Sequence, residues 1–299
     1  MKIAALDLGS NTFLCLICEV EDHQILKVYS DQVEVVRLGQ DLQKTQKIHP
    51  DALVRAKKCL EKFSETIQKE KPDRILAMAT SAARDAENKQ DLFKICQDLN
   101  IPLEIIAGEK EAEITYQGAI SKIISEKNRL VIDIGGGSTE FIFGSGLKLI
   151  QGQSLNIGCV RLTEKFISAQ PTAENEITAL QKFISNKISK INYPNLKIDE
   201  VLAVAGTPTT LAAVEIGKFQ VDVIDGYVFK LDRLEKWLSE LIPLSIAEKI
   251  QKGFPEGRAD VILVGLIILI ETLKYFNKDQ LVVSTRGVRY GVALEVARR

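Results

Sequence analysis

Ala5-Leu6-Asp7-Leu8-Gly9-Ser10-Asn11-Thr12 and Val131-Ile132-Asp133-Ile134-Gly135-Gly136-Gly137-Ser138-Thr139 follow one plan. Each opens as an apolar strand, ends on Asp-aliphatic-Gly, turns through small polar residues and enters a further strand. One such hairpin is ordinary. Two, each opening a half of the chain with similar layout, predict duplicated α/β domains facing across a cleft.

Working outward from the first hairpin, the pattern predicts strands at 3–8, 12–20 and 24–37, each rich in β-branched or aliphatic residues. A helix follows over 51–69, with Ala52, Leu53, Ala56, Leu60, Phe63 and Ile67 on one side. A strand at 74–79, a helix at 92–99, a strand at 103–106 and a helix at 109–124 complete the half. That order argues for a mixed sheet covered by helices. After the polar break Ser125-Glu126-Lys127-Asn128 the grammar restarts. Strands are expected at 129–134, 139–143 and 147–156, helices at 160–168 and 174–191, and a strand at 201–205 leading through Gly206 into a helix from Thr209. The apolar helix 260–276, a strand at 281–284 and a closing helix at 290–298 end the chain. The predicted domains are 1–126 and 127–287, with the helix at about 288–299 packing back on the first.

Bulk properties narrow the function. The chain has 299 residues, enough for two ordinary domains, a formal charge of −1 and a pI near 6.3. Proteins that live on nucleic acid or a membrane surface are usually far more basic, so neither partner is expected. A polyanionic ligand must instead meet a local cluster of cations and backbone N–H groups. The start of the chain places Asp7 where a secretory signal needs an apolar run, and Val261–Ile270 is too short to span a bilayer. A cytoplasmic location with reduced thiols is the expectation. The five cysteines have no regular spacing, and Cys15 and Cys18 fall on one strand at an odd separation that sends them to opposite faces. His23 and His49 read as surface residues, and Trp237 as core.

The chemistry sits in the hairpins. A phosphate needs several N–H donors at close range, and glycine permits the backbone to approach and point them inward. Gly135, Gly136, Gly137, Ser138 and Thr139 supply consecutive amides and two hydroxyls; Gly9, Ser10, Asn11 and Thr12 supply a second cradle. Asp7 and Asp133, each before its turn, are placed to hold Mg²⁺, a hard cation that favours carboxylate, water and phosphate oxygens. The bland reading of either turn alone is a tight hairpin, where Gly, Ser, Asn and Asp are common; the pair reverses that preference. Neither GxxxxGK[ST] nor a GxGxxG opening a βαβ unit is present.

These hairpins resemble the exopolyphosphatase/guanosine pentaphosphate phosphohydrolase family, part of the superfamily of actin, sugar kinases and heat-shock chaperone ATPases. The likeness continues in order through Ala79-Thr80-Ser81-Ala82-Ala83-Arg84, Gly108-Glu109-Lys110-Glu111-Ala112-Glu113 and Gly158-Cys159-Val160-Arg161-Leu162-Thr163-Glu164. It then runs through Ala205-Gly206-Thr207-Pro208-Thr209-Thr210, Arg258-Ala259-Asp260 and Val288-Arg289-Tyr290-Gly291. The resemblance implies two actin-like (ribonuclease H-like) domains with mixed sheets flanked by helices, and removal of terminal phosphate from inorganic polyphosphate or guanosine penta- or tetraphosphate. Mg²⁺, or Mn²⁺ in its place, is the implied cofactor.

By resemblance Glu111 is the catalytic base; position alone leaves Glu109, Glu111 and Glu113 equivalent, all near a helix start where the dipole favours acids. Asp133 and Glu140, with Asp7, become the metal ligands, against a bland reading of Glu140 as an exposed residue at a turn exit. Arg84 and Arg258 stand before or at the start of predicted helices, where a bound anion would offset an unfavourable dipole, and the family places phosphate on them. Gly206 and Thr207 look like another phosphate-facing turn, against a bland reading as a helix N-terminus with Pro208 in its first turn. Longer relatives carry an extra helical module rich in His and Asp, which two histidines cannot supply; this chain therefore reads as the short form, with a groove between two copies left open as a substitute. Thr285-Arg286 replaces small residues usual in the family, and Arg286 either adds a phosphate contact or faces solvent. The other functional classes are a sugar kinase or ATPase of the same superfamily and a non-catalytic sensor of guanosine polyphosphates.

Overall fold

In a computed structural model that describes residues 1–122 and 125–299, the chain divides into unit 1, Met1–Ile124 with Arg286–Arg299, and unit 2, Ser125–Thr285. Unit 1 runs β1 (Lys2–Leu8), β2 (Thr12–Glu21), β3 (Gln24–Val35), α1 (Leu42–Thr45), α2 (Pro50–Glu70), β4 (Arg74–Ala79), α3 (Ser81–Asp85), α4 (Lys89–Asp98), β5 (Leu103–Ile105) and α5 (Gly108–Ala119). Unit 2 runs β6 (Asn128–Ile134), β7 (Thr139–Ser145), β8 (Lys148–Leu155), α6 (Cys159–Phe166), α7 (Glu174–Ile188), β9 (Glu200–Val204), α8 (Gly206–Ile216), α9 (Val221–Ile224), β10 (Val228–Lys230), α10 (Leu231–Leu241), α11 (Ile246–Gln251), α12 (Glu256–Ala259), α13 (Ile262–Tyr275) and β11 (Gln280–Val283). The closing helix α14 (Val288–Arg298) belongs to unit 1. Residues 123 and 124, the end of the helix expected over 109–124, lie outside the described residues.

The sheets repeat one topology. Unit 1 has strand order β3-β2-β1-β4-β5, and unit 2 has β10-β11-β9-β6-β7-β8. Read from β8, the second order is three antiparallel strands, then β9 and β11 parallel to β6, as β4 and β5 run parallel to β1. Two mixed sheets flanked by helices are the duplicated α/β architecture that the resemblance implies.

In the first sheet β1 and β2 are buried on both faces, which is why they read as almost continuous apolar runs, while the edge strand β3 is largely exposed. Leu6, Leu8, Cys15 and Ile17 pack with Leu60 and Phe63 of α2, while Ile3, Ala5, Leu16 and Cys18 pack with Val292 and Val296 of α14. Cys15 and Cys18 thus go to opposite faces, as their odd spacing requires. All five cysteines are buried and unbridged, and burial pushes the thiols of Cys15, Cys18, Cys59 and Cys96 up to about 12. Helix α2 starts at Pro50, a residue suited to the first turn, and His49 caps it, its Nδ1 accepting from the Asp51 amide at 3.2 Å. His49 therefore does more than sit at the surface.

The core of unit 2 is organised on α13, whose residues Ile262 to Ile270 are all buried. Among the described residues no helix is long and apolar enough to cross a membrane. Trp237 is core, as expected, with its edge against Phe254 and its indole N–H donated to Glu215 at 2.6 Å.

One charge is misplaced by ordinary standards: Lys249 of α11 has no exposed surface and donates to Gln170 Oε1. Burial pulls its ammonium down to about 8, against the opposing attraction of Asp260. The folded value lies below the unfolded one, near 10.4. The unfolded chain therefore binds more protons between those pH values, and stability should rise as pH climbs from about 8 to about 10. Below pH 8 the cost of the buried ammonium is constant. Lys249→Met is expected to flatten that rise and to add roughly 1–3 kcal/mol of stability at pH 7, where the buried charge is fully present. Urea unfolding of both proteins at pH 7 and pH 9.5 checks the sign.

Candidate functional site

In unit 1 the β1–β2 turn closes through the Gly9 amide, which donates to the Thr12 carbonyl at 3.1 Å. A Cβ on Gly9 would lie 3.0 Å from that oxygen, so the close approach favours glycine. The Ser10 and Asn11 carbonyls accept from Gly39, Val36 and Arg37, which pins the turn to the segment after β3. The Ser10 hydroxyl accepts the Ala82 amide at 3.1 Å and joins the turn to α3. Asp7, Ser10, Asn11 and Thr12 are all buried.

Helix α3 changes the reading of Arg84. Three residues of Ser and Ala and a short span carry no periodicity, so the sequence predicts no helix there. The segment is helical, and Arg84 lies in its last turn, where a cation suits the dipole. Its Nη1 donates to the Ile106 carbonyl at 3.0 Å and to Glu111 Oε2 at 3.2 Å. Arg258 likewise falls in the last turn of α12 and not at the opening of α13. The mismatched dipole is therefore no argument for an anion at either arginine.

The structure separates the three acids of α5. Glu109 is exposed, Glu113 is half-buried with Lys110 at 3.0 Å, and Glu111 is buried beside Arg84. Unit 1 thus brings together Glu111, Arg84, Ala82 and Ser10 through the hydrogen bonds that link α5, α3 and the first hairpin.

Unit 2 repeats the turn with different side chains. Gly135 N–H donates to the Ser138 carbonyl at 3.0 Å, as Gly9 does to Thr12. Asp133 stands opposite Glu140 where Asp7 stands opposite Leu14, so two carboxylates face each other on adjacent strands only in the second hairpin. Glu140 is buried, not an exposed turn residue, and accepts from the Ser154 hydroxyl at 2.7 Å. Among the described residues no group of three or more metal-ligating side chains is gathered. The pair itself is the donor type a hard cation takes, completed by water or phosphate oxygens, and so fits Mg²⁺ or Mn²⁺.

The glycine tract is oriented by α6. The Gly135 carbonyl accepts from Cys159 N–H, that of Gly136 from Val160 and Arg161 N–H, and that of Gly137 from Gly158 N–H and from Arg161 Nε at 2.7 Å. In a planar trans peptide N–H and C=O point opposite ways. With those carbonyls turned to α6, the amides of Gly136, Gly137 and Ser138 point away from it as a row of donors. Gly158 permits the contact, since a Cβ there would lie 2.3 Å from Gly136. Of the two expected hydroxyls, Thr139 is committed to the Ile157 carbonyl at 2.9 Å.

The third turn in unit 2 joins β9 to α8. Ala205 sits at φ 70, and Gly206 lies under the Arg258 guanidinium, whose Cζ would be 2.2 Å from a Cβ at that position. Thr207 is buried against Gly265 of α13. Arg286 does not face solvent: it is buried, donates to Ser121 Oγ at 3.0 Å and lies over the Tyr290 ring. The sequence does not mark Ser154 or Arg161 as site residues: Arg161 lies within residues 158–164, and Ser154 needs the β7–β8 register to appear.

The family model of the Ppx/GppA phosphatase family matches residues 16–299. Three curated relatives align with nearly all of the chain. The bifunctional 3-dehydroquinate synthase/phosphatase of Fusobacterium nucleatum is 36% identical over 98% of the chain and 46% of its own length. Exopolyphosphatase 2 of Mycobacterium tuberculosis is 29% identical over 99% and 98%. The guanosine-5'-triphosphate,3'-diphosphate pyrophosphatase of Pseudoalteromonas atlantica is 30% identical over 97% and 57%. The chain thus spans about half the length of the first and third and nearly all of the second. The crystal structure of the Aquifex aeolicus Ppx/GppA member superposes with a TM-score of 0.84 at 30% identity, covering 100% of this chain and 98% of that one. With the duplicated hairpins, the carboxylate pair and the Glu111–Arg84 contact, these likenesses place the chain in the Ppx/GppA phosphatase family.

Proposed function

We propose that the protein is a phosphohydrolase that releases terminal phosphate from inorganic polyphosphate or guanosine pentaphosphate by attack of water in line with the terminal anhydride bond. The observation that carries this reading is Glu111, the one buried acid of three at the start of α5, held 3.2 Å from the Arg84 guanidinium. The names of the relatives give the substrate classes.

Phosphoryl transfer leaves a protein mainly positioning and charge stabilisation to perform. Water oxygen forms the new P–O bond as the anhydride P–O bond breaks, and the electron pair leaves with the shortened chain. Glu111 orients that water and accepts its proton. In unit 1 Arg84 is a cation suited to non-bridging phosphate oxygens, and in unit 2 the amides of Gly136, Gly137 and Ser138 are donors suited to them. Asp133 and Glu140 would hold Mg²⁺ or Mn²⁺, which supplies neutralisation of phosphate charge when bound; Asp7 is the matching carboxylate of the first hairpin and is proposed as a metal ligand in its own unit.

Purified protein with Mg²⁺ should release phosphate from polyphosphate or guanosine pentaphosphate, and excess EDTA should stop it. Turnover of ATP alone would favour the kinase or ATPase reading, and release from none of the three would favour a sensor.

Gly206 offers a second check. Alanine there puts a methyl where the Arg258 guanidinium lies, and a flexible side chain can move away, so the fold should survive. If Arg258 meets phosphate, Gly206→Ala should raise KM roughly tenfold or more, the worth of a charged hydrogen bond, while Tm shifts little. Steady-state kinetics and a thermal melt test both parts.

A further inference from the structure

Ser81 opens α3, three residues before Arg84, and only 2% of it is exposed. Its hydroxyl has no hydrogen-bond partner among the described residues. A buried hydroxyl left unpartnered is costly, and native proteins retain few of them without a reason. The cost was avoidable: Ala79, Ala82 and Ala83 surround it in the same segment, and alanine would fit the same helix.

An orphan hydroxyl is not by itself a site, since Thr172 Oγ1 in unit 2 is another. What sets Ser81 apart is its company. Residues three apart in a helix share a side, so Ser81 and Arg84 lie on one side of α3. Arg84 holds Glu111 at 3.2 Å, and the residue after Ser81 is held through its amide by the Ser10 hydroxyl of the first hairpin at 3.1 Å. The Ala82–Ser10 hydrogen bond therefore fixes the backbone next to Ser81, and the Ser81 hydroxyl, on the same side of the short helix as Arg84, keeps its own hydrogen-bonding capacity uncommitted. A hydroxyl can donate to a phosphate oxygen that a guanidinium also contacts.

We propose that Ser81 is a further phosphate-binding residue, whose hydroxyl donates to a non-bridging oxygen of the same phosphate that Arg84 meets. The proposal rests on the phosphohydrolase reading of Glu111 and Arg84. Its ligand class is a chain of anhydride-linked phosphates.

A methylene-bridged analogue of tripolyphosphate, which resists turnover, is the probe. Calorimetric titration in Mg²⁺ should show that Ser81→Ala binds roughly ten- to a hundredfold more weakly than the parent. The same variant should melt at the parent temperature or above it, because removing an unpartnered hydroxyl takes nothing from the folded protein. Ser81→Thr, which keeps a hydroxyl, should recover most of the affinity. Parent-like binding by Ser81→Ala overturns the proposal. So does a lowered melting temperature, which would mean that the hydroxyl serves the fold, and so does an analogue that the parent does not bind. If the parent binds the analogue and Ser81→Ala does not, yet no phosphate is released from any substrate, the hydrolase reading fails while the Ser81 contact stands.

Discussion

Glu111→Gln is expected to cut phosphate release by roughly 10²- to 10⁴-fold, the usual worth of a positioned general base. The replacement is nearly isosteric, and its amide oxygen can still accept from Arg84 Nη1, which stands 3.2 Å from Glu111 Oε2. Packing around the side chain should therefore survive, with a stability change of about 1 kcal/mol from the weakened pair. The discriminating controls lie on the same helix. Glu109→Gln and Glu113→Gln should stay within about twofold of the parent, because one is exposed and the other is paired with Lys110 away from Arg84. A folded Glu111→Gln protein with parent-like release would remove Glu111 from the mechanism. Circular dichroism and a thermal melt establish that the comparison is between folded proteins.

The largest effect on stability is expected from Gly291→Ala. A Cβ at Gly291 would lie 1.9 Å from the Ile114 carbonyl oxygen of α5, and one at Gly118 would lie 2.1 Å from the Gly287 carbonyl oxygen. These neighbours are backbone and cannot swing aside. Glycine on both helices is what lets α5 and α14 approach so closely, and the alanine must push one of them off. The loss should exceed about 3 kcal/mol, the range reserved for overpacked cores. Since Ile114 is one helical turn from Glu111, phosphate release should fall as well. Gly217→Ala makes a fair control: nothing lies within 4 Å of its Cβ position, and its φ of +82 alone should cost about 1 kcal/mol. Urea unfolding curves and hydrogen exchange across 288–298 measure the difference; a Gly291→Ala protein as stable as the parent would refute the close-contact argument.

Much of this architecture was legible in the sequence. The strand at 74–79 forms as read, and those at 3–8 and 129–134 begin one residue earlier; in the latter two, an apolar run ending on Asp-x-Gly leaves few alternatives. What the sequence hid has two physical sources. Short elements carry too few turns for a period to show, which is how α3, α9, α11 and α12 escaped and why Arg84 and Arg258 were set at the wrong helix ends. Partnerships between distant residues leave no local mark. Ser154 meets Glu140 only through strand register, Lys249 is buried against Gln170, and Arg289 of α14 grips Asp31 of β3 at 2.7 and 2.9 Å. The choice of Glu111 among three acids came from family likeness, and its burial gives that choice a physical footing.

The return of α14 to unit 1 also sets a timetable for biosynthesis. Ile3, Ala5, Leu16 and Cys18 form a greasy sheet face that Val292 and Val296 cover, and the ribosome makes all of unit 2 before it makes those valines. At about 5–20 residues per second, that face waits roughly fifteen seconds to a minute for its lid. The nascent first unit is therefore a natural client for chaperones, and a ribosome stalled within unit 2 leaves a sticky, protease-sensitive fragment, not half an enzyme.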